Sequence, residues 1–136
     1  MANWDDVKRW LITNHAATEA GDEMLVSMPR PSGPSMELKV VAPQKDAPLT
    51  LRLMTRILPI EECADREAAS RLLQHGTFYE DAGEYCFRAT VQIKNLTPAG
   101  LAGALRHFAG TAGDVDRRLR RRAVMAELSC FSGYVD

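Results

Sequence analysis

The chain has 136 residues, 46% of them hydrophobic and 26% charged, with a formal net charge of −1. That length buries a core without disulfide or metal staples, the composition is that of an ordinary globular domain, and the near-zero charge excludes a global field drawing the chain to nucleic acid or membrane. The opening Met1-Ala2-Asn3-Trp4-Asp5-Asp6 lacks the basic and apolar regions of a signal peptide, and no apolar run approaches a membrane span, so a single cytoplasmic domain over residues 1–136 is expected.

Asn3 is a good N-cap, and Asp5 and Asp6 suit the positive end of a helix dipole. Trp4, Val7, Trp10 and Leu11 recur at spacings of three and four, which predicts a helix from Trp4 to about Ala17 with Gly21 as its stop. Three strands follow. The first is Glu23 to Met28. The proline-rich segment from Pro29 to Ser35 cannot continue a ladder and reads as a loop. The second strand, Met36 to Ala42, puts Met36, Leu38 and Val40 on one face; the third, Leu49 to Ile57, sets Leu49, Leu51, Leu53 and Ile57 against Thr50, Arg52, Met54 and Arg56. Short connections favour antiparallel pairing.

Pro59 is placed as the first residue of a second helix running to about His75, with Gly76 after its end. Thr77 to Glu80 and Glu84 to Ile93 form a hairpin around Asp81-Ala82-Gly83. Thr97 caps the last helix and Pro98 opens it; Leu101, Leu105, Phe108, Ala112, Val115 and Leu119 then form an apolar seam. Gly100, Gly103, Gly110 and Gly113 weaken that helix unless a neighbouring backbone approaches closely, and Gly110 to Gly113 is a candidate kink. Residues 123–136 read as a helix extension or a tail. The expected fold is α+β: a five-stranded antiparallel sheet with three helices, in the order α-β-β-β-α-β-β-α.

Catalytic chemistry is hard to find. His15, His75 and His107 stand alone in their segments, and Cys63, Cys86 and Cys130 form neither a disulfide framework nor a Cys-x-x-Cys motif. No phosphate loop or nucleophile elbow occurs. Asp5-Asp6, Glu61-Glu62 and Glu80-Asp81 are each explained by a helix start or a turn. No enzyme activity, metal or cofactor is expected. Arg117, Arg118, Arg120, Arg121 and Arg122 are the strongest local bias. They form either an anionic-partner patch or a basic helix turn paired with Asp114 and Asp116. Aromatics interleaved as a nucleic-acid platform requires are missing. Methionines cluster on the first three strands, and methionine adapts to varied binding surfaces. Met24, Met28 and Met54, with Trp10, are therefore candidate partner contacts, with core filling as the plain structural explanation.

The element order resembles that of the type III secretion chaperones and the YbjN-like proteins. The resemblance covers roughly residues 3 to 122. It is carried by Arg71-Leu72-Leu73-Gln74-His75-Gly76-Thr77-Phe78-Tyr79, by Asp81-Ala82-Gly83, by Phe87-Arg88-Ala89-Thr90-Val91, and by Asn95-Leu96-Thr97-Pro98 with Leu101 and Leu105. It implies a homodimer that holds a partner polypeptide, typically an extended segment of a secreted effector. The alternative it allows is a YbjN-like regulatory or scaffold protein that meets an acidic partner through the arginine cluster.

Overall fold

The structure, a computed structural model, describes the backbone of residues 1–29 and 35–135 and the side chains of those residues through 120. Residues 30–34 of the proline-rich segment, the side chains of Arg121 and Arg122, and those of 123–136 lie outside the described residues. The elements are α1 (Trp4–His15), β1 (Thr18–Ala20), β2 (Glu23–Met28), β3 (Met36–Val41), β4 (Thr50–Pro59), a 3-10 turn (Ile60–Glu62), α2 (Arg66–Leu73), β5 (Phe78–Asp81), β6 (Glu84–Gln92) and α3 (Pro98–Val135). The sheet is antiparallel and six-stranded, in the spatial order β1-β2-β3-β4-β6-β5. The α+β class holds, while the expected count of five strands does not.

The additional strand is β1. Its residues Thr18, Glu19 and Ala20 are all exposed, so no apolar alternation announces it. It exists because Gly21, at φ +64°, opens a two-residue turn that pairs Ala20 with Glu23 and Thr18 with Leu25. Gly21 is thus a hairpin residue and not a helix stop. The helix ends earlier, at His15, and the left-handed cap falls to Ala16 at φ +49°. Asn3 caps its start, accepting the Asp6 amide at 3.0 Å through Oδ1.

The second correction concerns Pro59. It closes β4, paired with Glu84, and does not open a helix. Its fixed φ of −59° fits either role. A bulge between Arg56 and Leu58 decides the matter, because it turns Ile57 and Leu58 both toward the protein interior. The chain then makes the 3-10 turn and straightens, and Asp65 caps a shorter α2 by accepting the Ala68 amide at 3.0 Å. The amides of Ala64 and Asp65 donate to the Leu119 carbonyl, fastening the start of α2 to the side of α3.

All three helices lie on one face of the sheet. The larger core joins Val7 and Leu11 of α1 to Met24, Val26, Leu38, Val40, Leu51 and Leu53 of the sheet and to Leu101, Leu105, Phe108 and Ala112 of α3. Phe87 stacks on Phe108 at 5.2 Å between ring centres. A second cluster collects Ile57, Leu58, Cys63, Ala68, Ala69, Phe78, Tyr85 and Leu119 around α2. The seam expected on the last helix is therefore intramolecular core along its described length. The helix runs unbroken through Gly110 to Gly113, and a methyl group placed on Gly103, Gly110 or Gly113 would meet no described atom beyond its own stretch of helix within 4 Å. Those glycines serve no close approach among the described residues.

Candidate functional site

Because the helices share one face, no helix of the described residues covers the other face of the sheet. Its centre is built by strand register. Lys39 of β3 lies opposite Met54 of β4, and Met54 lies opposite Arg88 of β6. In the next row Arg56 lies opposite Cys86, and Cys86 opposite Tyr79 of β5. Arg52 stands opposite Thr90 on the other side of Met54. Period-two alternation sends the hydrophobic partners of these residues to the core and leaves this polar set outside.

Two shallow cavities meet at Met54. One, of about 480 Å³, is lined by Lys39, Met54, Arg56, Tyr79, Asp81 and Cys86 among others. The second, of about 340 Å³, is lined by Arg52, Met54, Thr77, Arg88, Ala89 and Thr90. The cations around them are not equivalent. Arg56 is held by its own hairpin: Nη2 donates to Asp81 Oδ2 at 2.7 Å, Nη1 to the Asp81 carbonyl at 3.1 Å, and Glu84 lies 3.8 Å away. The Asp81 hydrogen bond, with smaller help from Cys86 and Glu84, raises the guanidinium pKa further. Lys39 pairs with Glu23 at 3.8 Å. Arg88 donates from Nε to the Gly76 carbonyl at 2.8 Å and lies over the Tyr79 ring, 4.9 Å from its centre. Neither Arg88 nor Arg52 has a carboxylate within 4 Å among the described residues, and Arg52 Nε is enclosed without an acceptor.

The thiol here is quiet. Burial pushes Cys86 up, as it does Cys63 in the second cluster, so both are mostly protonated near neutral pH and are poor nucleophiles. Burial also pushes the Tyr79 hydroxyl up. No group of three His, Cys, Asp or Glu side chains that could hold a metal lies among the described residues. No helix of the described residues is long and apolar enough to cross a membrane.

The candidate contacts from the sequence fall into different places. Met54 sits half-buried at the meeting of the two cavities. Met24 and Met28 are taken up by the core, at 0% and 5% exposure, and present no surface. Trp10 is half-buried on α1, 5.2 Å from the His15 ring, and borders a separate shallow depression with Arg9 and Asn14. The arginine cluster divides as well. Arg117 pairs with Asp114, and Arg120 with Asp116 at 2.6 Å and Glu62 at 3.3 Å, so acids of the chain itself engage both. Arg118 is exposed. Reading the sequence put Arg52 on the polar face of its strand and Arg88 in a hairpin strand, and singled out neither. The missing signal was the β4–β6 register, which brings them to either side of Met54.

The architecture is an α+β fold, the class that the element order implied. It matches a chain in the crystal structure of the ExsC–ExsE complex with a TM-score of 0.64, covering 88% of this chain and 97% of that one at 15% identity. The likeness concerns the fold and gives no separate support to the YbjN-like alternative. No protein-family model and no curated protein matches the sequence.

Proposed function

We propose that this chain is a non-enzymatic, chaperone-like cytoplasmic module that works as a homodimer and holds an extended segment of another polypeptide against the helix-free face of its sheet. The observation that carries the reading is the likeness, over nearly the whole of both chains, to a chain in a complex of two proteins, ExsC and ExsE. The open face supports it: Met54 offers an adaptable apolar contact, and the cations and hydroxyls around it offer polar ones.

The test begins with the tagged chain expressed in its native host. Any polypeptide recovered must then rebuild a stoichiometric complex from purified components, with its mass and that of the free dimer measured by light scattering. Hydrogen exchange on the rebuilt complex is expected to protect Thr50–Pro59 and Glu84–Gln92. Failure to rebuild any complex, or protection confined to the helical face, would overturn the proposal.

A further inference from the structure

We infer that Arg52 and Arg88, on either side of Met54, form a carboxylate-binding pair that receives an acidic side chain of the bound polypeptide. The inference rests on the module reading above and names the chemistry of the segment held.

The cations of the open face differ in what engages them. Arg56 is engaged by Asp81 and Glu84, and Lys39 has Glu23 3.8 Å away. Arg52 and Arg88 stand diagonally across the β4–β6 pair, Arg52 opposite Thr90 and Arg88 opposite Met54. Diagonal neighbours of an antiparallel pair are about 7–8 Å apart, within reach of long side chains converging on one group. Arg88 is already oriented, because its Nε is fixed to the Gly76 carbonyl and its plane lies over Tyr79, while its terminal amino groups make no hydrogen bond among the described residues. A planar fork held this way loses little freedom when it binds a carboxylate. Arg52 is half-buried and its Nε is enclosed without an acceptor, so the strand and its neighbours hold the stem while no carboxylate of the described residues engages the guanidinium. The Thr77 and Thr90 side chains line the same 340 Å³ cavity. At about 30 Å³ per water, that volume holds a side chain together with waters around it.

A peptide acid fits this place better than a nucleic-acid backbone. Glu37, Asp81 and Glu84 border the neighbouring row and would repel a run of phosphates, whereas one carboxylate between two arginines meets attraction on both sides.

The experiment is nuclear magnetic resonance titration of the full chain, following backbone amides and the arginine Nε–Hε signals. The probes are a short, capped, flexible peptide bearing glutamates beside leucine, the same peptide with glutamines, a short single-stranded DNA, and inorganic phosphate. The glutamate peptide is expected to move the Nε–Hε signals of Arg52 and Arg88 and the amides of Thr77, Ala89 and Thr90. Arg52→Gln and Arg88→Gln should each weaken it about tenfold, the range of a lost charge-assisted hydrogen bond. Arg71→Gln, at an exposed residue of α2 on the helical face, should leave it unchanged. Four results would each overturn the inference: no shift with the glutamate peptide, equal affinity for the glutamine version, tighter binding of the DNA, or equal binding of phosphate alone. The rebuilt native complex separates the two proposals. If the partner binds the R52Q/R88Q double variant undiminished, the arginine pair is refuted and the module reading stands. If no partner exists, the module reading falls and the peptide titration still decides the pair.

Discussion

Replacing Gly103, Gly110 and Gly113 by alanine tests how α3 is held. Glycine inside a helix costs about 0.5–1 kcal/mol relative to alanine, through the backbone freedom it loses on folding. Among the described residues no packing compensates at these positions, since the added methyl meets no atom beyond its own stretch of helix within 4 Å at any of the three. The three sit away from the seam of Leu101, Leu105, Phe108 and Ala112 that packs on the sheet. The triple variant is therefore expected to gain about 1.5–3 kcal/mol, or roughly 3–5 °C of melting temperature per kcal/mol for a domain of this size. Gly100 is left alone, because a methyl there would come within 3.1 Å of Thr97 Oγ1, which accepts the Gly100 amide. Melting by circular dichroism and urea titration give the stability, and light scattering gives the mass. A fall in stability would refute the reasoning. Coupled to a loss of mass, it would mean that the space beside the glycines is filled by a second copy of the chain.

Leu105→Ala, at a fully buried position where α3 meets the sheet, should cost about 2–5 kcal/mol in urea unfolding, and a cost below 1 would show that the core refills the cavity. Ala16→Gly relieves the left-handed conformation at φ +49° and should stabilise by about 0.5–1 kcal/mol after the entropy of glycine is set against it; a neutral or negative change would mean that Ala16 is not strained. In a Cys130→Ser background, Cys63 and Cys86 should react with Ellman's reagent only as fast as the protein opens, and rapid labelling at mildly alkaline pH would contradict their burial. The carboxyl of Asp6 is held below its ordinary value first by the Ala2 amide and then by the charge of Arg9, so its contribution is present above about pH 4 and is lost as pH falls through the lowered value. Asp6→Asn should lower stability at neutral pH and match the parent in strong acid, and a pH-independent difference would remove the electrostatic account.

Much of the fold was legible because its patterns are long. The seam from Leu101 to Leu119 keeps its period over many turns, and strands such as Met36-Glu37-Leu38-Lys39-Val40 alternate cleanly, so burial follows the pattern residue by residue. The misreadings came where one residue type serves two geometries. Gly21 adopts the positive φ that a helix exit or a tight hairpin equally uses, and β1 buries no side chain that would tip the choice. Pro59 satisfies both a strand end and a helix start, and the bulge that decides between them depends on β6, a neighbour nearly thirty residues onward. The candidate site was half legible. Alternation told that Arg52, Met54 and Arg56 share a face, but whether each arginine is satisfied depends on Asp81 and Glu84 of a distant hairpin, which period alone does not bring near.

The same long-range pairing explains why one cation of β4 is structural and another is available. Arg56 and Arg52 lie four residues apart on one face of one strand, with the same chemistry and similar local sequence. The hairpin of β5 and β6 ends beside Arg56, so its turn acids Asp81 and Glu84 engage that guanidinium and make it part of the sheet's own stability. Arg52 lies farther along β6, opposite Thr90, where the facing strand offers a hydroxyl and no acid. Had the hairpin been longer, its acids would have moved away from Arg56; had β4 paired one step out of register, Met54 would have gone to the core and Arg52 with it. Register therefore does more here than assemble a sheet. It sorts identical side chains into those the fold consumes and those it leaves facing a partner, and Met54 stands between the two.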